Sequence, residues 1–247
     1  MAIRLNERDM QILSHLRRYR LSTIEVLHGL FFPDTREDAV KSTLKRLKGE
    51  NYVASQKLFP RGNEVYYHLA PAAVPALGIS PASSLKPSEK YVFEAYAQLL
   101  FCCTGDAHRP RFSQDEFEEC FPGFINQAPD FANRFQYDAY YLDIDEHGMR
   151  RLGRILVDRG DSNLFNLFTR AVDVADRAYP QFLAEYRFTL AFIFPNDGRK
   201  RKADNLIRST LRNDRYHVRL VTTAFPSLHR FLGDLVAPPA SPTRSVG

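Results

Sequence analysis

The chain has 247 residues, 44% apolar and 26% charged, with a formal net charge of +5. That is a globular composition, and the length suits two domains with separate cores. No apolar run reaches the ~18 residues that span a bilayer. The opening MAIRLNERDM also lacks a signal-peptide core, so a cytoplasmic protein with no membrane partner is expected. Cys102, Cys103 and Cys120 form no CxxC pair, which excludes a zinc or disulfide framework.

In chain order, Asn6 with Asp9 three residues on opens a first helix to about Arg20, with Met10, Leu13 and Leu16 facing inward. Ser22 or Thr23 starts a shorter helix carrying Ile24, Leu27 and Leu30. The third helix lies in TREDAVKSTLKRLKGE, where Thr35 and Asp38 have capping-box spacing and Gly49 stands at the C-terminal cap. Val40, Leu44 and Leu47 make one apolar stripe, while Lys41, Ser42, Lys45 and Lys48 lie on the opposite side. Two β-rich runs, 52–59 and 64–69, flank the turn Pro60, Arg61, Gly62 and Asn63, giving a hairpin with an arginine at its tip.

Three helices followed by a hairpin is the order of a winged helix-turn-helix, whose third helix enters the major groove while the wing touches the adjacent backbone. The expected DNA-binding set is Arg36, Lys41, Ser42, Lys45, Arg46 and Lys48 on the helix, with Lys57 and Arg61 on the wing. The competing reading of these cations is a solvated face. Residues 1–79 hold 12 Lys and Arg against 8 Asp and Glu, and the remainder 22 against 21, so the excess positive charge sits on the expected DNA-binding domain.

From residue 71 to 89 Pro, Ala and Ser dominate, with one helical turn expected at 74–77; domain 1–79 is thus separated by linker 80–89 from a second domain, 90–236. That domain opens with a buried helix at 90–102, in which Cys102 and Cys103 read as core. A loop follows to about Asn133, its Asp115, Glu116, Glu118 and Glu119 read as a solvated helix face. Strands are expected at 134–144 and 150–158 around a turn at Asp145, Glu146, His147 and Gly148. A long helix at 163–185, breakable at Pro180, precedes an apolar strand at 188–194, as expected of burial on both faces. A basic helix at 198–212, a strand at 218–225, a short helix at 226–232 and a disordered tail, 237–247, complete a mixed-sheet α/β domain. The run Gly198, Arg199, Lys200, Arg201, Lys202 fits either a second DNA-backbone contact or a surface for a partner. No HExxH, glycine-rich phosphate loop or GxSxG elbow occurs, so no metal site, cofactor or catalytic residue is assigned.

LSTIEVLHGLFFPDTREDAVKSTLKRLKGENYV, YYHLAPAAVPALG and GRILVDRG together resemble the replication-relaxation family of plasmids and integrative elements, over most of residues 6–225. The resemblance implies a winged helix joined to a sheet domain similar to the PD-(D/E)XK nuclease core, in proteins tied to control of mobile-element replication or transcription. Such nucleases place an Asp on one strand, an Asp or Glu on the next and a Lys two residues later, around Mg²⁺. Asp138 fits the first position and Asp158 the second, on one face if Asp138 stands opposite Leu156. The lysine is missing, because Arg159 and Gly160 follow Asp158, so the core reads as degenerate. Asp143 and Asp145 form a second acidic pair, read as solvated turn residues. The expectation is therefore a sequence-specific transcriptional regulator that binds double-stranded DNA as a homodimer. The alternative is a metal-dependent endonuclease or a plasmid replication or transfer accessory protein.

Overall fold

The computed structural model describes residues 4–59, 62–81, 86–105, 109–122, 139–144, 147–210 and 217–231. Pro60, Arg61, Asp138, Asp145 and the tail from 237 lie outside the described residues. The N-terminal elements are α1 (Glu7–Tyr19), α2 (Ile24–Phe31), α3 (Glu37–Gly49), β1 (Val53–Lys57), β2 (Val65–Leu69) and the short α4 (Ala73–Leu77).

Asn6 caps α1 as expected: its Oδ1 accepts from the Asp9 backbone N–H at 2.8 Å, and the Asp9 carboxylate accepts from the Asn6 N–H at 3.0 Å. Thr23 caps α2. Thr35 does not cap α3. Its hydroxyl instead donates to the carbonyl of Phe32 at the end of α2, and Arg36, which has no side-chain acceptor, stands at the N-cap. Gly49 is likewise helical, and the left-handed residue is Asn51, φ 58°, with its N–H bonded to Lys48 and that of Tyr52 to Leu47. Asn tolerates this conformation well enough to serve where glycine would be usual. Leu30, expected inside, is 43% exposed, and Phe31 packs inward in its stead.

β1 and β2 pair antiparallel, Lys57 opposite Val65, and Ser22 exchanges two backbone bonds with Tyr67 to add a third short rung. Ile12, Leu13, Leu16, Leu27, Val40, Leu44, Leu47, Val53 and Leu69 close one core between helices and hairpin.

The remaining elements are α5 (Glu89–Cys103), α6 (Gln114–Cys120), β3 (Ala139–Ile144), β4 (Arg150–Val157), α7 (Leu164–Ala178), α8 (Pro180–Ala184), β5 (Phe188–Phe194), α9 (Asp197–Thr210), β6 (Val218–Ala224) and a 3-10 turn at Pro226–Leu228. The sheet order is β3-β4-β5-β6, antiparallel between β3 and β4 and parallel elsewhere, so the sheet is mixed as expected. Ala139 faces Ile155, the same register that the sequence predicts for this hairpin.

All seven residues of β5 are buried, as its unbroken apolar run requires. Phe188, Leu190, Phe192 and Phe194 pack among α7, α8 and α9, while Ala191 and Ile193 face α5. Within the stretch read as a loop, Ser113 and Glu116 form a reciprocal capping box that starts α6. Cys102 is buried in α5, where burial raises its thiol pKa, and burial pushes the Cys103 thiol up to about 11. Both are poor nucleophiles at neutral pH.

A third core joins the two halves: Tyr19, Leu21, Val26, Leu58, Phe59 and Tyr66 pack with α5, Ile155, Ile193 and Leu228. Arg18 pairs with Glu116, and Arg111 donates to the carbonyl of Arg18 at 3.1 Å, so polar contacts cross the same junction.

His15 lies buried beneath it, its Nε2 3.0 Å from the Ser22 hydroxyl and its ring 4.7 Å from that of Tyr19. Burial, aided by the Arg18 cation, lowers its pKa to about 3. Below the free imidazole range near 6.5 the unfolded chain binds a proton that the folded chain refuses, so stability is full above that range and falls as pH drops toward 3. Denaturation in urea should show a loss on the order of 2 kcal/mol between pH 6 and 4 that is absent from His15→Asn. Identical pH dependence in both proteins would refute the assignment.

Candidate nucleic-acid interface

The three buried residues of α3 fix which of its side chains face solvent. Lys41, Ser42, Lys45, Arg46 and Lys48 are all exposed, as is Arg36 just before the helix. Their surroundings separate them. Arg46 binds the carboxylate of Asp9, whose side chain is 1% exposed, and thereby neutralises a buried charge between α1 and α3. It is thus held in the fold rather than presented outward. Lys48 donates to the Ser55 hydroxyl at 2.8 Å and ties α3 to β1. Lys41 lies 3.3 Å from Glu37 and 3.6 Å from Asp38, all three well exposed. Exposed pairs of this kind contribute about 0–1 kcal/mol and exchange readily for a phosphate.

Arg36, Ser42 and Lys45 have no side-chain partner among the described residues, and the same holds for exposed Lys57 at the end of β1. The outward set is therefore Arg36, Lys41, Ser42, Lys45 and Lys57. Glu37 and Asp38 in the first turn suit the helix dipole and would repel an anion there.

The turn end of the hairpin is clamped from the C-terminal part of the described chain. Arg230 meets Glu64 through two bonds of 2.6 and 2.9 Å and lies 4.0 Å over the Phe59 ring, while the Phe231 ring sits 4.7 Å from Phe59. Arg230 holds the Glu64 carboxyl pKa down to about 2. The hairpin is thereby oriented by the sheet half as well as by α1 and α3.

Asp158, the second candidate nuclease carboxylate, directly follows β4 and has a side chain 0% exposed. Its Oδ2 accepts from Arg199 Nε at 2.7 Å; its Oδ1 accepts from the Ser162 hydroxyl and lies 3.4 Å from Arg199 Nη2. Both oxygens are taken by an internal guanidinium and a hydroxyl. Arg159 extends away to Glu94 and lies against the Phe93 ring. The residues present do not fit a Mg²⁺ site at Asp158, since the carboxylate's charge is already compensated and no lysine stands beside it. Asp143, read as a solvated turn residue, is buried instead and accepts from Thr189 at 2.9 Å and Arg219 at 3.2 Å.

No family model, curated protein or solved structure matches the chain. What it binds must follow from its own surface. Of the basic run at the start of α9, Arg199 is committed to Asp158 and Lys200 to Asp204, leaving Arg201 and Lys202 exposed. Sequence reasoning missed Asp9 and Asp158 as the partners of Arg46 and Arg199, because a capping Asp and a strand-end Asp are ordinarily solvated.

Proposed function

We propose that the chain is a sequence-specific transcriptional regulator binding double-stranded DNA, with residues 1–79 forming a winged helix-turn-helix and α3 as the recognition helix. The observation that carries this is Lys45 beside Ser42, both exposed and without a side-chain partner among the described residues, on a helix whose other face is buried, with Lys57 following on the hairpin. An apolar anchor and an outward polar stripe are what major-groove reading requires. The resemblance to the replication-relaxation family supports placing it on a mobile element. A homodimer suits the short half-site that one helix reads. The sheet domain, with Asp158 closed by Arg199, serves as a degenerate nuclease-like scaffold rather than as an enzyme.

Chromatin immunoprecipitation in the native host supplies the operator, and binding of purified protein tests the helix. Lys45→Ala should weaken operator binding by about 1–3 kcal/mol if Lys45 reads a base, or by a smaller, sequence-uniform amount if it touches phosphate. Unchanged affinity in both Lys45→Ala and Lys41→Ala would remove α3 from the interface. Metal-dependent cleavage of the recovered fragments would instead establish the endonuclease reading.

A further inference from the structure

The end of the sheet where β4, β5 and β6 begin carries a surface that duplex recognition by α3 does not use. There α8 ends in a Schellman motif, with the N–H of Tyr186 bonded to Leu183 and that of Arg187 to Phe182. The left-handed position, φ 55°, is held by Tyr186, where glycine is the usual and less strained residue. Its ring is not used to fill the core: Tyr186 is 57% exposed and stacks on His217 at 4.3 Å and 12°.

His217 also lines a pocket of about 260 Å³ whose apolar walls are Val172, Ala175, Pro180, Leu183 and Val218, with the exposed Asp176 on its margin. Four arginines lie at the same end of the sheet. Arg151 donates to the Tyr186 carbonyl, Arg187 reaches Glu185, Arg219 reaches Asp143, and exposed Arg150 has no side-chain partner among the described residues.

We propose that this face binds single-stranded nucleic acid, with one unpaired base in the pocket or on the Tyr186–His217 stack and the flanking phosphates on Arg150 and its arginine neighbours. An exposed aromatic face beside cations is the pairing that holds unstacked bases and their backbone. The pocket is sized for a single ring system rather than for a folded partner. Asp176 can accept from the exocyclic amine of a base, and its charge directs the phosphates to the arginine side.

This inference is independent of the α3 reading, and the test keeps them apart. Anisotropy of a labelled single strand of ~12 nucleotides is compared with that of a duplex, using full-length protein. Tyr186→Gly relieves the left-handed position, so its melting temperature should equal or exceed that of the parent, while single-strand affinity falls about tenfold. Arg150→Glu should weaken the single strand as well, with duplex affinity changed less than single-strand affinity in both variants. Lys45→Ala should show the reverse preference. Undiminished single-strand affinity in Tyr186→Gly and Arg150→Glu overturns the proposal. Displacement of the strand by equimolar free mononucleotide overturns it too, in favour of a small-molecule nucleotide site.

Discussion

Arg199→Met is expected to destabilise the protein by about 3–5 kcal/mol in urea denaturation, because it strands the buried Asp158 carboxylate without its counter-charge. The effect is large for a geometric reason. Asp158 is fully buried and Arg199 only 20% exposed, so little solvent is at hand to replace the guanidinium. Arg199 also donates to the Ser162 carbonyl, so the one side chain fastens the segment between β4 and α7 to the start of α9. Removing both partners differs from removing one: Asp158→Leu with Arg199→Met should recover most of the loss, since apolar replacements of a buried pair are often neutral or stabilising. A cost below about 1 kcal/mol for the single variant would mean that the pair does not organise this end of the sheet.

The same pair bears on chemistry. Plasmid DNA incubated with Mg²⁺ or Mn²⁺ should remain intact, because the carboxylate that a cation would need is already closed by Arg199. Robust cleavage abolished by Asp158→Ala would reverse that conclusion.

How much of this was legible in the chain depended on how far each signal reached. The Asn6–Asp9 box, the hairpins and the strand at Phe188–Phe194 were all readable, because local spacing, turn residues and an unbroken apolar run decide them. The start of α3 was misread because Thr35 had two possible uses, and the carbonyl of Phe32 took its hydroxyl. The division of cations into structural and outward ones was not legible. Arg46 finds Asp9 37 residues away and Arg199 finds Asp158 41 residues away, across helices and strands that only the completed fold brings together. A run of cations therefore overstates a binding surface wherever the fold buries acids nearby. Arg61 and Asp138, both singled out in the sequence, lie outside the described residues.

Gly153→Ala should cost about 3 kcal/mol, at the upper end of what overpacking a core usually costs. Gly153 pairs directly with Tyr141 across β3 and β4, and a Cβ there would lie 2.1 Å from one ring carbon of Tyr141 and 2.3 Å from another. The ring has nowhere to go: Tyr141 is 0% exposed and meets Phe101 of α5 edge-on at 5.0 Å. Glycine is needed here for close approach, since an aromatic ring is folded flat over its strand partner. The strain would pass into α5, the helix against which Tyr19, Leu21 and Val26 of the N-terminal half are packed. Shrinking the ring should therefore rescue the variant, with Tyr141→Leu recovering more stability in the Gly153→Ala background than in the parent, where it opens a cavity. Additive losses in the double variant would show that the contact does not limit how closely β3 and α5 approach.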